Sequence, residues 1–481
     1  MSTRIIGPFN RVEGDLEVHL EIEDERVHSA QVSASLYRGF EHILLGRPAF
    51  DAITITPRIC GICSVSQSVV TAAALSDALG VRPSANGQLG INLVHAAENL
   101  ADHLTHFYLF FMPDFARPAY ADKPWFAKTE RRFQAQAGLG AKELLAARAR
   151  LLNITGILAG KWPHTLAVQP GGLTRSLDEG GKMRLLSVLA DVRAFLQDTL
   201  YGLSLEEIAS LENRAALDKV LDTAIDIGSD LGLFATLARD LDLESLGAAY
   251  SRFLSYGAYH FQDENLFPAG MMEAGEVREL DPGAFREDLQ SSWYAGGPSH
   301  PADGVTQPFV EREGAYTWCK APRVNGQPAE VGAVARQLVA GQPLIRDMVG
   351  AGSANVFARI IARLVESARI VINMEYWARR IEPKAPVNTD EKPADQGVGV
   401  GLAEAARGSL GHWVRIEKGR IQSYQIITPT TWNFSPRDGA GVPGPVEYAL
   451  EGTPVVDSDP NAVAVQHVVR SFDPCMACTV H

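Results

Sequence analysis

Apolar and polar residues alternate from Leu16 through Val18 and Leu20 to Ile22, and the alternation resumes at Val27 after the turn residues Asp24 and Glu25. A period of two on both sides of a turn predicts two antiparallel strands within residues 15–36. Beyond Cys63 the pattern changes to an Ala- and Val-rich run that opens on Ser64 and Ser66 and stops at Gly80. Serine starts and glycine stops of this kind predict a helix. Residues 89–112 place Leu93, Ala97, Leu100, Leu104 and Phe107 on one stripe. Residues 354–380 do the same with Phe357, Ile361, Leu364, Ala368 and Ile372. Both are amphipathic helix patterns. Further helices are predicted over 141–160, 183–212 and 230–255. A hairpin is predicted from residues 413–417, a turn at Lys418 and Gly419, and residues 421–427. Pro- and Gly-rich loops are predicted at 294–308, 383–401 and 434–445. The fold class is therefore mainly α (α+β): a helical-bundle core with small antiparallel sheets near the N-terminus and in the C-terminal third. One domain over 1–481 is expected, with no internal repeat.

Composition narrows the picture. Of 481 residues 46% are apolar, enough for a large core, and the net charge is −13. That charge argues against nucleic acid and against an anionic membrane surface. No apolar run reaches about 18 residues, so no membrane span is expected. The opening MSTRIIGPFN has no apolar signal core, and a cytoplasmic location is the expectation.

The chemistry lies in the cysteines. Cys60 and Cys63 form one pair, Cys475 and Cys478 another, and His481 ends the chain. A structural zinc site would separate its pairs by about 15–20 residues; here more than 400 intervene. Disulfides fit a cysteine-poor chain less well. Four thiolates holding an Fe–S cluster or another soft transition metal fit best, and spacing alone does not choose among iron, nickel and zinc. Cys63 precedes a helix, whose dipole favours thiolate. Cys319 reads as a small buried hydrophobe, and His95, His103 and His106 as satisfied polar groups along one helix.

Arg58-Ile59-Cys60-Gly61-Ile62-Cys63 and the final Asp473-Pro474-Cys475-Met476-Ala477-Cys478-Thr479-Val480-His481 resemble the two metal-binding signatures of the [NiFe]-hydrogenase large subunit. Four more stretches are similar: Arg11 to Gly14, Arg38 to Glu41, Ala406 to Trp413, and Pro429 to Asn433. The resemblance implies heterolytic cleavage of H2 at a nickel–iron centre, with CO and cyanide on the iron. It implies that Cys60, Cys63, Cys475 and Cys478 bind nickel, and that Cys63 and Cys478 also bridge to iron. Cys475 would be the first proton acceptor and Glu13 the next carrier. Arg407 would project over the open metal position, paired with Asp102 and Asp473, and Thr430 would donate to a cyanide. Glu41, His481 and a carbonyl near Ile426 would bind magnesium or a similar divalent cation. The implied partners are a small subunit with Fe–S clusters, making a heterodimer, and maturation proteins.

The sequence departs from the family pattern at a few positions. Ala406 stands where proline usually precedes the arginine, which alters the diatomic-ligand pocket. Gln67 stands where histidine usually follows the second cysteine. Ile62 and Phe110 fill gas-channel positions that commonly hold smaller residues. Together Gln67, Ile62 and Phe110 resemble the H2-sensing, or regulatory, subgroup, which implies low turnover, O2 tolerance and a sensor histidine kinase as a further partner. The alternatives are an energy-conserving uptake hydrogenase and a non-catalytic scaffold like the related quinone-reductase subunit. The four thiols argue against the scaffold.

Overall fold

In the computed structural model, which describes residues 2–262, 264–389, 394–456, 459 and 461–481, the N-terminal alternation forms a three-stranded antiparallel sheet. Strands β2 (Leu16–Glu23) and β3 (Arg26–Ala34) are the predicted pair. Leu16, Val18 and Leu20 are fully buried while the residues between them face outward. Strand β1 (Ser2–Ile6) adds to their edge, with Ile6 opposite Val18. It is too short to show a period of its own.

The helical core is a ring of four packed helices: α1 (Ala85–Thr105), α2 (Leu139–Ala159), α3 (Glu179–Phe195) and α4 (Val356–Arg380). Helix α1 packs on α2 and α4, and α3 packs on α2 and α4. The predicted stripe of α4 is buried at Phe357, Ile361, Leu364 and Ala368, with Ile372 at its margin. Two predicted helices end early in wide π turns, His106–Phe111 after α1 and Leu196–Tyr201 after α3. The second stops at Gly202, whose φ of 70° suits glycine, and a short capped helix, Leu205–Ala209, follows.

The helix expected over 230–255 is a correction. It ends as Asp230–Asp240, and Arg252–Phe261 is a strand paired with Glu264–Glu273. Residues Phe253 to Ala258 of that strand are buried on both faces, so the run has no period of two and imitates a buried helix.

A C-terminal sheet carries the functional loops. It consists of β4 (Gly397–Ala405), β5 (Gly408–Glu417) and β6 (Arg420–Ile427) in that order. The predicted hairpin is β5–β6. Strand β4 starts inside the span 383–401 expected as a loop; residues 390–393 of that span lie outside the described residues. The helix after Cys63, Ser64–Leu79, lies directly on β4 and β5. The alternating glycines of β4 allow this. A methyl group on Gly399 would sit 2.2 Å from the Ala74 carbonyl oxygen, and one on Gly401 would sit 2.1 Å from that of Val70. The first cysteine pair is thereby brought beside the Ala405–Gly408 corner, which carries Arg407.

Candidate metal centre

The two cysteine pairs meet. Cys60 Sγ lies 3.5 Å from Cys475 Sγ, and Cys63 Sγ lies 3.1 Å from Cys478 Sγ. Cys475 and Cys478 are 3.1 Å apart, and all four residues are buried. These spacings are far above the ~2.05 Å of a disulfide, and all five cysteines are free. Sulfurs about 2.3 Å from a common tetrahedral metal stand about 3.7 Å from each other; those of Cys60, Cys475 and Cys478 all lie within 4.8 Å of one another and fit a shared metal, with Cys63 joined to them through Cys478. Thiolates are soft donors suited to nickel and iron. Cys60 is held well below the usual thiol range by its neighbouring sulfurs, Cys475 first, with Arg407 adding to the effect. Cys319 is buried elsewhere, its thiol on the Lys320 carbonyl at 3.2 Å.

The C-terminal pair is fixed by backbone contacts across the chain. The Glu13 carbonyl accepts from Met476 N at 2.7 Å. Thr430 Oγ1 accepts from Cys475 N at 3.2 Å, which leaves its own proton available to a ligand. Gly14 is forced here: its φ is 83° and a Cβ would meet Ala477 N at 3.0 Å. Glu13 is half-buried, and burial and then the charge on Cys60 raise its carboxyl above the usual range.

Arg407 is 4% exposed. Nη1 and Nη2 reach Asp102 at 2.5 and 3.1 Å, Nη2 reaches Asp473 Oδ1 at 3.2 Å, and Nε donates to the Asp473 carbonyl at 2.9 Å. Burial opposes the charge, but Asp102 and Asp473 hold the guanidinium protonated. The Ala406 carbonyl accepts from Arg336 Nη2 at 2.9 Å.

Gln67 is buried one turn into its helix, and its Oε1 lies 2.9 Å from His412 Nε2. Ile62 packs on the apolar cluster that includes the four thiols. Phe110 is half-buried in the wide turn after α1, and its carbonyl accepts from Arg11 at 3.2 Å. His106 is bonded as expected, to the Arg470 carbonyl at 2.6 Å, whereas His103 reaches Glu366 at 2.9 Å through Nε2 but its buried Nδ1 has no hydrogen-bond partner among the described residues. His95 Nε2 has no partner among the described residues.

Glu41 and His481 also meet. His481 Nδ1 donates to the Cys478 carbonyl at 2.9 Å. Its Nε2 lies 3.4 Å from Glu41 Oε1. Glu41 and His481 thus bring an oxygen and a nitrogen side by side, and the nearby Glu287 Oε1 is buried with no hydrogen-bond partner among the described residues. At Ile426 the N–H donates to Glu41 Oε1 at 2.8 Å; the expected contact was a carbonyl. Lys320 was missed by the sequence reading. Its ammonium lies 3.1 Å from Glu41, 3.5 Å from Glu287 and 2.9 Å from Gln425 Oε1. Against burial, Lys320 and then His481 hold Glu41 well below the usual carboxylate range.

Arg336 and Glu404 were missed as well. Arg336 clamps the Ala405 and Ala406 carbonyls just before Arg407 and pairs with Glu366 at 2.6 Å and Glu404 at 3.0 Å. Nothing local marks such residues, because their partners lie far off in sequence.

The chain matches the family described as nickel-dependent hydrogenase over residues 38–138 and 139–481. It is 29% identical to the periplasmic [NiFeSe] hydrogenase large subunit of Desulfomicrobium baculatum, over 99% of this chain and 94% of that one. It is 28% identical to the hydrogenase-2 large chain of Escherichia coli K12, over 100% and 97%. The reduced Ni-Fe-Se hydrogenase structure from D. vulgaris Hildenborough superposes with a TM-score of 0.84 at 29% identity, covering all of both chains.

Proposed function

The chain belongs to the nickel-dependent hydrogenase family as a large subunit that cleaves H2, and from that premise we propose that it works as a slow, O2-tolerant H2 sensor. The observation that carries the chemistry is the meeting of four buried thiols from both chain ends beside Arg407. What supports the sensing role is the sequence set Gln67, Ile62 and Phe110, of which Ile62 packs on the thiol cluster.

Cys60, Cys63, Cys475 and Cys478 would hold nickel, with Cys63 and Cys478 also reaching iron. The bound centre, its iron carrying CO and cyanide, would supply the electron-pair acceptor for heterolytic cleavage of H2. The chain's own groups do the rest. Cys475 Sγ takes the proton and Glu13 carries it onward; a raised carboxyl suits that task near neutral pH. Arg407, fixed on two carboxylates, keeps a positive charge over the site and excludes water. Thr430, whose oxygen accepts from Cys475 N, would offer its hydroxyl proton to a cyanide. The missing proline at Ala406 leaves more room beside it. Glu41 and His481 would hold magnesium and tie the chain end to the core. Electrons would leave through a small subunit with Fe–S clusters, and the signal would pass to a sensor histidine kinase.

Elemental analysis and infrared spectra of the purified heterodimer test the centre. About one nickel and one iron per chain with CO and cyanide bands are expected, and zinc alone would refute the reading. Cys475→Ser should abolish H2-dependent dye reduction, because a hydroxyl is a hard, weakly acidic replacement. The uptake reading is favoured instead if turnover is fast and no kinase associates.

A further inference from the structure

The helix after the first cysteine pair has an unusual start. Its N-cap is Cys63, and the Cys63 side chain caps nothing. The first amides of a helix need acceptors. Here they come from another helix. Glu98, on α1, accepts from Val65 N on Oε2 and from Ser66 N on Oε1, each at 2.8 Å. Ser66 Oγ adds a bond to Oε1 at 3.0 Å, and Ser64 Oγ one to Oε2 at 3.3 Å. Trp162 Nε1 completes the set at 3.0 Å from Oε2. Glu98 is 2% exposed.

We propose that Glu98 is a positioning residue for the metal centre: it caps, from α1, the helix that begins at Cys63, and so fixes the Cys60–Cys63 turn. Five donors on one carboxylate occupy its lone pairs and oppose the burial that raises it. A negative charge at a helix N-terminus is also favoured by the helix dipole. The same α1 carries Asp102 one turn further on, so one rigid element places both the thiol turn and the partner of Arg407. The loop after α2 closes the other side: His164 N donates to Ser64 Oγ at 3.2 Å, and His164 Nδ1 donates to the Pro57 carbonyl at 2.9 Å. A site of this kind must be held to within about 0.5 Å to work.

The proposal rests on the reading of the thiols as nickel–iron ligands. The test uses the heterodimer, as parent, Glu98→Ala, Glu98→Gln and Trp162→Phe. Nickel content, the infrared spectrum of the centre, the nickel EPR signal and the melting temperature are measured. Glu98→Ala should lower nickel occupancy several-fold and shift the infrared and EPR signals of the metal that remains. Glu98→Gln should behave similarly, because its amide turns N–H groups toward N–H donors. Trp162→Phe removes one donor of five and should give a smaller shift in the same sense. Parental metal content and spectra in Glu98→Ala would overturn the proposal. So would a lower melting temperature with unchanged spectra, since Glu98 would then only stabilise the fold. If Glu98→Ala is insoluble, unchanged spectra in Trp162→Phe overturn it. A parent without nickel and iron would overturn the reading of the centre itself.

Discussion

Arg407 and Asp102 meet in a two-point contact, Nη1 to Oδ2 at 2.5 Å and Nη2 to Oδ1 at 3.1 Å, with both side chains buried. A planar fork against a carboxylate fixes direction as well as charge. Lysine would keep the charge and lose the fork. Arg407→Lys should therefore assemble the metal centre but lose turnover by roughly a hundredfold, about 2.7 kcal/mol of barrier. Steady-state H2 oxidation alongside metal analysis checks this. A parental rate would show that orientation over the thiols is immaterial.

Glu13→Gln keeps the shape of the carboxyl and removes the proton it carries. The backbone contact that Glu13 makes, its carbonyl to Met476 N, is untouched by the change. Metal content should stay parental, while H2/D2 exchange and dye reduction both fall by about two orders of magnitude or more, in line with the usual worth of a proton-transfer group. Exchange at the parental rate would mean that protons leave by a different route.

Glu447 makes a pH prediction away from the metal. Its Oε1 accepts from Val32 N at 2.9 Å and Tyr316 OH at 2.8 Å, while Oε2 is buried without a partner. Burial pushes the carboxyl up to about 7. The folded state thus holds a proton that the unfolded chain releases near 4.3. Between these two values, raising the pH favours the unfolded chain, and stability is lost. Above about 7 both states are ionised and the full cost, about 4 kcal/mol, is present. Glu447→Gln keeps the two bonds and cannot ionise. Its melting temperature should fall less than the parent's between pH 5 and 7.5, and equal slopes would refute the argument.

The sequence displays these parts unevenly. The β2–β3 pair was legible because it has one wet face, which prints a period, while α1 and α4, buried over most of their surface, were legible through their length and apolar spacing. The Arg252–Phe261 strand was not, because both its faces are buried. The thiol pairs were legible as a soft-metal site from their pairing, while the choice of metals and the place of Arg407 came through resemblance. Glu98, Arg336, Glu404 and Lys320 were invisible, since each is a buried charge whose meaning lies in partners far away. Lys320 pairs with Glu41, and Arg336 with residues on α4 and β4. A single sequence marks a buried charge no differently from an exposed one.

Gas access gives the last prediction and separates the sensor from the uptake enzyme. Ile62 lies between the two N-terminal thiols and packs on their cluster, so its side chain borders the metal site. Phe110 sits eight residues after Asp102, in the wide turn that continues α1. Residues of greater bulk along an apolar approach hinder O2 more than the smaller H2. A sensor that reports H2 in air needs such a filter and has no need of rapid turnover. Ile62→Val together with Phe110→Leu should therefore yield a protein that oxidises H2 at or above the parental rate but inactivates in air. H2-dependent dye reduction is measured before and after air exposure in the parent and the double variant. The parent should keep its activity, and the variant should lose most of it. A parent already inactivated by air, or a variant equally tolerant, would refute the filter and favour an uptake role.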